Sequence, residues 1–153
     1  MGIFSFHRAK PFFAPADQQR IVDAIRAAER RTSGEIRLYV ESHNPFVNPI
    51  DRAQELFFQF KMDKTENRNG VLLYLAMKDR ELALFADEGI YQQTGQGYWD
   101  DAVKAMIAEF KAEHLVEGIE ACVARIGTTL QQTFPYTADT DRNELPDDII
   151  FGK

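Results

Sequence analysis

A chain of 153 residues with 44% hydrophobic and 12% aromatic residues is long enough for one domain with a full core, and its composition excludes a disordered or fibrous protein. The net charge of −6 makes nucleic acid a poor partner and favours a cation. The single cysteine, Cys122, excludes an intramolecular disulfide and a cysteine-based zinc site, and we interpret it as a core thiol.

The N-terminal residues are predicted to form an arm and not an export signal or a membrane anchor. Residues 1–15 contain Phe4, Phe6, Phe12 and Phe13, but they lack an apolar stretch of roughly 7–15 residues followed by a small-residue cleavage site. No apolar run reaches the roughly 18–20 residues of a membrane span. We therefore expect a cytoplasmic monomer. The arm either lies over the core or is a surface for a protein partner.

Helix and strand periodicities alternate along the first half of the chain. A helix after Pro15 carries the apolar positions Ile21, Ala24, Ile25 and Ala28. Residues 35–41 alternate as a strand with one buried face, and a helix that opens at Asp51 carries Ala53, Leu56, Phe57 and Phe60. With the strand that follows, these elements predict a right-handed βαβ crossover between parallel strands.

Residues 69–89 predict a β-hairpin. Residues 71–77 form a nearly unbroken apolar run, which is typical of a strand buried on both faces, and residues 81–86 form a second strand. If the turn lies within residues 78–80, Asp87 or Glu88 should lie beside Gly70 or Val71.

In the second half of the chain, apolar residues that recur at helical spacing predict two further helices. One opens near residues 98–101, after a loop with Gly95 and Gly97, and the other ends before Pro135. Residues 16–136 thus predict a single-domain α/β/α sandwich, in which about four to five helices flank a small mixed β-sheet made of the parallel crossover and the antiparallel hairpin. Residues 137–153 form an acidic tail, whose Ile149, Ile150 and Phe151 could pack back on the body.

Oxygen-bearing side chains collect around one end of the hairpin. They precede its first strand, follow its second strand and open the next helix, and such oxygens are the ligands that hard cations prefer. Two simpler interpretations stay open: Asp100 and Asp101 complement a helix N-terminus, or Arg68 pairs with one of the acids. The predicted cation ligands are Glu66, Asn67, Asp87, Glu88, Asp100 and Asp101.

The patterns of catalysis are missing from the sequence. It has no glycine-rich phosphate loop, no G-x-S-x-G elbow and no H-E-x-x-H motif. His7, His43 and His114 are scattered, and His43, just after the first strand, is the best placed of them. We therefore predict no catalytic residue and no organic cofactor.

The order of several short motifs resembles the TPM domain, which a thylakoid-lumen protein, a photosystem II repair protein and a nematode receptor modulator share. The motifs are Ser33-Gly34-Glu35, Asn69-Gly70-Val71-Leu72-Leu73, Lys78-Asp79-Arg80, Gly118-Ile119 and Phe134-Pro135. Asp87-Glu88-Gly89-Ile90 and Trp99-Asp100 suggest a compact bacterial subgroup. The resemblance implies an α/β/α sandwich, binding of Ca²⁺ or another divalent ion, and the acid phosphatase activity reported for the plant branch.

We therefore expect a non-catalytic TPM domain that binds a divalent cation, with Ca²⁺ preferred over Mg²⁺. A metal-dependent phosphatase and a protein-interaction module are the alternatives. Typical members of the family carry a signal peptide, which this sequence does not show.

Overall fold

The computed structural model describes residues 12–137 and 149–153, and within them it contains five helices and four strands. The helices are α1 (Pro15–Glu29), α2 (Pro49–Gln59), α3 (Glu88–Thr94), α4 (Gln96–Lys111) and α5 (Leu115–Thr133). The strands are β1 (Glu35–Glu41), β2 (Gly70–Ala76), β3 (Glu81–Ala86) and β4 (Ile149–Phe151). They form one sheet in the order β3-β2-β1-β4.

The sheet is mixed, as the sequence predicts. β1 lies parallel to β2 across the α2 crossover, and β3 runs antiparallel to β2 after a turn of residues 77–80. Alternate residues of β1 and β2 point to opposite faces of the sheet. On one face Leu38 and Leu73 pack against α1, α4 and α5, and on the other Tyr39 and Tyr74 pack against α2. The predicted α/β/α sandwich is confirmed.

β1 is more buried than its alternating sequence suggests. The pattern predicts one buried face, whereas all seven residues of the strand are buried. On the second face, where the sequence places polar residues, α2 packs on Tyr39 and brings Arg52 onto Glu41. Glu41 consequently lies in the interior, 6% exposed.

The C-terminal residues add a strand that periodicity does not predict. Residues 149–151 pair with residues 38–40 in parallel register, and Phe151 stacks on Phe12 with ring centroids 6.2 Å apart. Residues 1–11 and 138–148 lie outside the described residues, and with them lie most of the predicted arm and of the acidic tail.

The segment after the hairpin is helical where a loop is expected. Asp87 caps α3, because its Oδ1 accepts a hydrogen bond of 2.8 Å from the Glu88 N–H. Gly95 then adopts a φ of +75°, which suits glycine, and α4 begins directly after it. Asp100 and Asp101 therefore lie in the second turn of α4 and not at its N-terminus.

Two further expectations can be compared with the structure. Cys122 is buried in the core, and this burial raises the pKa of its thiol to about 12, so it behaves as the predicted core thiol. Within the described ranges, the helices are all too short or too polar to cross a membrane.

Candidate metal site

The end of β3 meets the turn that precedes β2. The Asp87 N–H donates to the Gly70 carbonyl at 2.9 Å, and the Gly89 N–H donates to the Arg68 carbonyl at 2.8 Å. The predicted position of Asp87 beside Gly70 is confirmed. These two bonds fix the backbone that carries Asp87 and Glu88 against residues 65–70, and we name this region the Asp87 end of the sheet.

The turn of residues 65–69 has a constrained backbone and is closely packed. Arg68 adopts a φ of +51°, an uncommon conformation for a residue other than glycine. Its N–H donates to the Thr65 carbonyl at 3.3 Å. Gly89 packs so closely on this turn that a Cβ atom there would overlap the carbonyl oxygens of Asn67 and Arg68. The turn and the start of α3 thus hold each other in place.

Arg68 neutralises both acids at the start of α3. Its Nε and Nη2 donate to the two carboxylate oxygens of Asp87 at 2.8 and 2.9 Å, and its Nη1 lies 3.1 Å from the nearer Glu88 oxygen. The hydrogen bonds to Asp87 are the main cause that raises the pKa of the Arg68 guanidinium. Asp87 is buried, but the Arg68 side chain is 39% exposed. The alternative that Arg68 pairs with one of the acids is confirmed.

Asn69, the last residue of this turn, carries a buried side-chain amide. The residue is 1% exposed, and its Nδ2 lies 3.3 Å from the Ser33 Oγ. Its Oδ1 is buried and accepts no hydrogen bond from any residue that the structure describes. An unsatisfied buried amide oxygen is costly, so this atom is a candidate oxygen donor that the predicted ligand set did not include.

The six predicted ligands do not all come together. Glu66 and Asn67 are exposed on the 65–69 turn, and thus lie on the segment that contacts the start of α3. Asp100 instead accepts a hydrogen bond of 2.8 Å from Gln96 Nε2 on its own helix and lines a groove beside β3. Asp101 is exposed on α4.

The chemistry of the donors at the Asp87 end suits a hard cation in part. Carboxylates, amides and backbone carbonyls are all present there. However, among residues 12–137 and 149–153, no three His, Cys, Asp or Glu side chains are grouped so that they could hold a metal ion. A cation at this place would therefore need neutral oxygens and water beside the two carboxylates of Asp87 and Glu88.

The histidines that the structure describes lie elsewhere. His43 Nδ1 is 2.9 Å from an Asp79 carboxylate oxygen at the hairpin turn, and His114 Nδ1 is 3.8 Å from Glu109. The turn is separated from Asp87 by the six residues of β3, or about 20 Å. His43 and His114 are thus not placed to act as a base beside the acids.

A buried polar cluster at the opposite end of the sheet was not predicted. Glu41 accepts hydrogen bonds from Arg52 Nε at 2.8 Å and Nη2 at 2.9 Å, and from the Tyr74 hydroxyl at 2.5 Å. Burial, and then the bond to Glu41, raise the pKa of the Tyr74 phenol. We name this region the Glu41 end. The feature of the sequence that indicates this cluster is the polar face of β1, because the crossover helix α2 has to pack on that side of the sheet.

Comparison with known proteins agrees with the fold. The TPM domain profile matches residues 9–129. The solution structure of BA42 from the psychrophilic bacterium Bizionia argentinensis is 35% identical, with a TM-score of 0.85 over 95% of this chain and 99% of BA42. No curated protein sequence matches the chain.

Two more distant structures share the fold alone. The N-terminal domain of cg2496 from Corynebacterium glutamicum is 15% identical with a TM-score of 0.63, over 82% of this chain and 79% of that one. The N-terminal domain of a P. gingivalis protein is 18% identical with a TM-score of 0.65, over 80% and 78%. The profile match over most of the chain, together with the likeness to BA42, places this protein in the TPM domain family.

Proposed function

We propose that this TPM domain binds a divalent cation at the Asp87 end, with Ca²⁺ preferred over Mg²⁺. The observation that carries the proposal is the meeting of the two segments that hold Glu66, Asn67, Asp87 and Glu88, whose backbones are joined by the hydrogen bonds of Asp87 and Gly89. Asn69 belongs to the same turn, and its buried Oδ1 has no hydrogen-bond partner among the described residues, which makes it a candidate neutral ligand. Calcium accepts such mixed and irregular oxygen sets, whereas magnesium requires a tighter octahedron and keeps its water.

Arg68 sets the strength of this binding. Its guanidinium already occupies both oxygens of Asp87, so a cation has to displace it or share the carboxylate with it. Arg68 is partly exposed and can swing into water at little cost, whereas the backbone around it is fixed. We therefore expect weak binding in the native protein and tighter binding once the arginine charge is removed.

The experiment is a calcium titration of the ¹⁵N-labelled protein and of Arg68→Gln. In the native protein, amides of residues 66–70 and 87–90 should shift together, and the dissociation constant of Arg68→Gln should be at least about tenfold lower because a competing positive charge is gone. Lys111→Gln removes the same charge from the C-terminal end of α4, which lies by the hairpin turn, and is the matched control. Its affinity should equal that of the native protein.

Three results would contradict the proposal: no shifts at millimolar calcium, shifts confined to residues outside the Asp87 end, or equal affinity in Arg68→Gln and Lys111→Gln. Asp100→Asn and Asp101→Asn test the two acids of α4 in the same titration. Shifts that disappear in these variants would move the site to α4.

Thermal unfolding offers a second readout. A cation at a hundredfold excess over its dissociation constant stabilises the fold by about 2.7 kcal/mol. For a domain of this length that corresponds to a rise of roughly 5–10 °C in Tm, at about 2–4 °C per kcal/mol. Magnesium at the same concentration should give a smaller rise. An equal rise with both ions would indicate nonspecific screening of the acidic surface.

A further inference from the structure

We propose that an exposed apolar and acidic surface on α2 is the docking site for the chain's own N-terminal segment, residues 1–11. Six residues line this open surface, and we name them the α2 patch: Phe46, Val47, Asp51, Gln54, Glu55 and Phe58. Of the seven large apolar residues that are exposed in the described part of the chain, three belong to the patch. Phe46, Val47 and Phe58 are 40%, 100% and 45% exposed.

The patch follows the face of α2 that points away from the sheet. Residues 51, 54, 55 and 58 are three or four positions apart and therefore share one side of the helix. The buried side of α2, with Ala53, Leu56 and Phe57, packs on the sheet. The apolar side chains of the patch thus meet water, and apolar side chains that are exposed together are typical of a surface that binds something.

The charges of the patch indicate what it binds. Asp51 and Glu55 are its only charged residues, and both are exposed. Glu55 already pairs with Arg52, whose Nη1 lies 2.5 Å from its Oε1. Asp51, in the first turn of α2, forms an ion pair with no basic side chain that the structure describes. A complementary occupant has to be apolar in part and basic in part.

The N-terminal segment has this composition. Residues 1–11 read MGIFSFHRAKP and contain no acidic residue. Phe4 and Phe6 are followed by Arg8 and Lys10 at the same two-residue spacing. In an extended segment these four side chains point the same way, so two aromatic rings and two positive charges would face the patch together.

The segment joins the described structure close to the start of the patch. Phe13 is buried in the core, and Phe12 stacks on Phe151. Because Phe151 pairs with Val40, Phe12 lies at the Glu41 end of the sheet. The loop that leads from β1 into α2 leaves the sheet at this same end. A segment tethered here has a high effective concentration at the patch, which a free partner of equal affinity would not have.

The direction and the length of the segment also agree with this site. α2 runs from the Glu41 end towards the Asp87 end, where the rings of Phe58 and Phe85 lie 6.0 Å apart. Counted back from Phe12, the segment presents its basic residues before its phenylalanines, in the same order as Asp51 and Phe58 along α2. Eleven extended residues reach about 36–40 Å, whereas α2 spans about 16 Å. About 20 Å then remains for the path around the end of the sheet.

A nitroxide spin label on the Ser5→Cys variant of the full, ¹⁵N-labelled chain tests the contact. The native thiol of Cys122 is buried and its pKa is raised to about 12, so the label reacts at the new position. Amides of residues 46–58 should lose intensity, whereas amides of residues 22–29 in α1, on the other face of the sheet, should keep theirs. Deletion of residues 1–11 should shift the amides of residues 46–58.

Two variants of the patch should abolish the loss of intensity. Asp51→Lys reverses the unpaired charge, and Val47→Ser removes an apolar side chain that is 100% exposed. Both positions are exposed, so neither change should alter the fold. Asp23→Lys makes the same charge change at an exposed acid of α1 and is the matched control, in which the loss should persist. Adding Arg8→Glu and Lys10→Glu to Asp51→Lys should bring the loss of intensity back, because the charges are complementary again.

Full intensity at residues 46–58 in the labelled chain would overturn the proposal, and so would an equal loss in Asp51→Lys and Asp23→Lys. Two further results would overturn it by assigning another occupant. A loss of intensity in a ¹⁵N-labelled chain without the spin label, when it is mixed with spin-labelled chains that lack ¹⁵N, would indicate a second copy. Patch amides that do not respond to deletion of residues 1–11 would leave the patch to a partner protein.

Discussion

The two ends of the sheet use the same chemistry in different surroundings. At each end, two nitrogens of an arginine hold both oxygens of a carboxylate: Arg68 with Asp87, and Arg52 with Glu41. The side chains of Arg68 and Asp87 are 39% and 3% exposed, whereas those of Arg52 and Glu41 are 16% and 8% exposed. Water can therefore replace Asp87 as the partner of Arg68, but it hardly reaches either member of the Arg52–Glu41 pair. This difference is why we propose ligand binding at the Asp87 end and a structural role for the Glu41 end.

The largest effect is expected from Arg52→Met. The substitution keeps the apolar stem but leaves the Glu41 carboxylate buried, with the Tyr74 hydroxyl as its one remaining side-chain donor among the residues that the structure describes. Removing one partner of a buried pair typically costs about 3–5 kcal/mol. Urea unfolding measures this loss as a lower midpoint at an unchanged slope. A loss below about 1 kcal/mol would show that the Glu41 end is as open as the Asp87 end.

Two further variants separate charge from packing at the Glu41 end. Glu55→Gln removes the other carboxylate that Arg52 contacts, which is 46% exposed, and should change the stability by less than about 0.5 kcal/mol. Adding Glu41→Gln to Arg52→Met should recover part of the loss, because no uncompensated charge then remains in the interior. No recovery would attribute the loss to packing alone.

Gly89→Ala tests how rigidly the Asp87 end is held. The new methyl group would overlap the backbone carbonyls of Asn67 and Arg68, and backbone cannot rotate away as a side chain can. We expect a loss of about 1–3 kcal/mol in unfolding free energy, together with shifted amides across residues 66–70. Gly97→Ala, where a Cβ would meet nothing within 4 Å, is the matched control and should be neutral or stabilising. Equal changes in unfolding free energy for Gly89→Ala and Gly97→Ala would mean that the turn of residues 65–69 can move to accommodate the methyl group.

Asp87→Ala and Asp87→Asn separate the two roles of this carboxylate, which caps α3 and pairs with Arg68. Alanine removes both the cap of α3 and the pair with Arg68, and should cost about 1–2 kcal/mol, because the partly exposed arginine returns to water. Asparagine keeps a capping oxygen, so it should cost about half as much. Chemical unfolding measures both values. A loss as large as that of Arg52→Met would remove the contrast between the two ends.

Much of this architecture could be predicted because local pattern and tertiary structure agree. The run of residues 71–77 predicts a strand buried on both faces, and β2 is buried throughout. Turn chemistry at residues 78–80 sets the register of the hairpin, and so the position of Asp87 beside Gly70. The position of Asp100 differs from the expectation, because Gly95 and Gly97 predict a loop there. In the structure, Asp87 caps α3, and Gly95 with its positive φ precedes α4.

The Glu41 end could not be predicted from one strand alone. Alternation places Glu35, Arg37, Tyr39 and Glu41 on the face of β1 that a half-buried strand would show to water. Only the crossover helix, which brings Arg52 over that face, makes the cluster an interior one. The pairing of β4 is equally non-local, because three residues are too few to show a period.

The smallest effect concerns the pair of His43 and Asp79 near the Glu41 end, because a carboxylate whose partner is exposed contributes little to stability. The hydrogen bond to His43, and then that from the Asn44 N–H, hold the pKa of Asp79 below its ordinary value of 3.8. A carboxyl whose pKa is lower in the folded state stabilises the fold above its unfolded pKa, and this contribution is lost as the pH falls through the folded pKa. In a carboxyl NMR titration, His43→Gln should raise the Asp79 pKa, although the Asn44 bond should still keep it below 3.8. Between about pH 4 and 2, Asp79→Asn should lose slightly less stability than the native protein. An unchanged Asp79 pKa in His43→Gln would show that water replaces the imidazole without cost, as expected for the most exposed pairs.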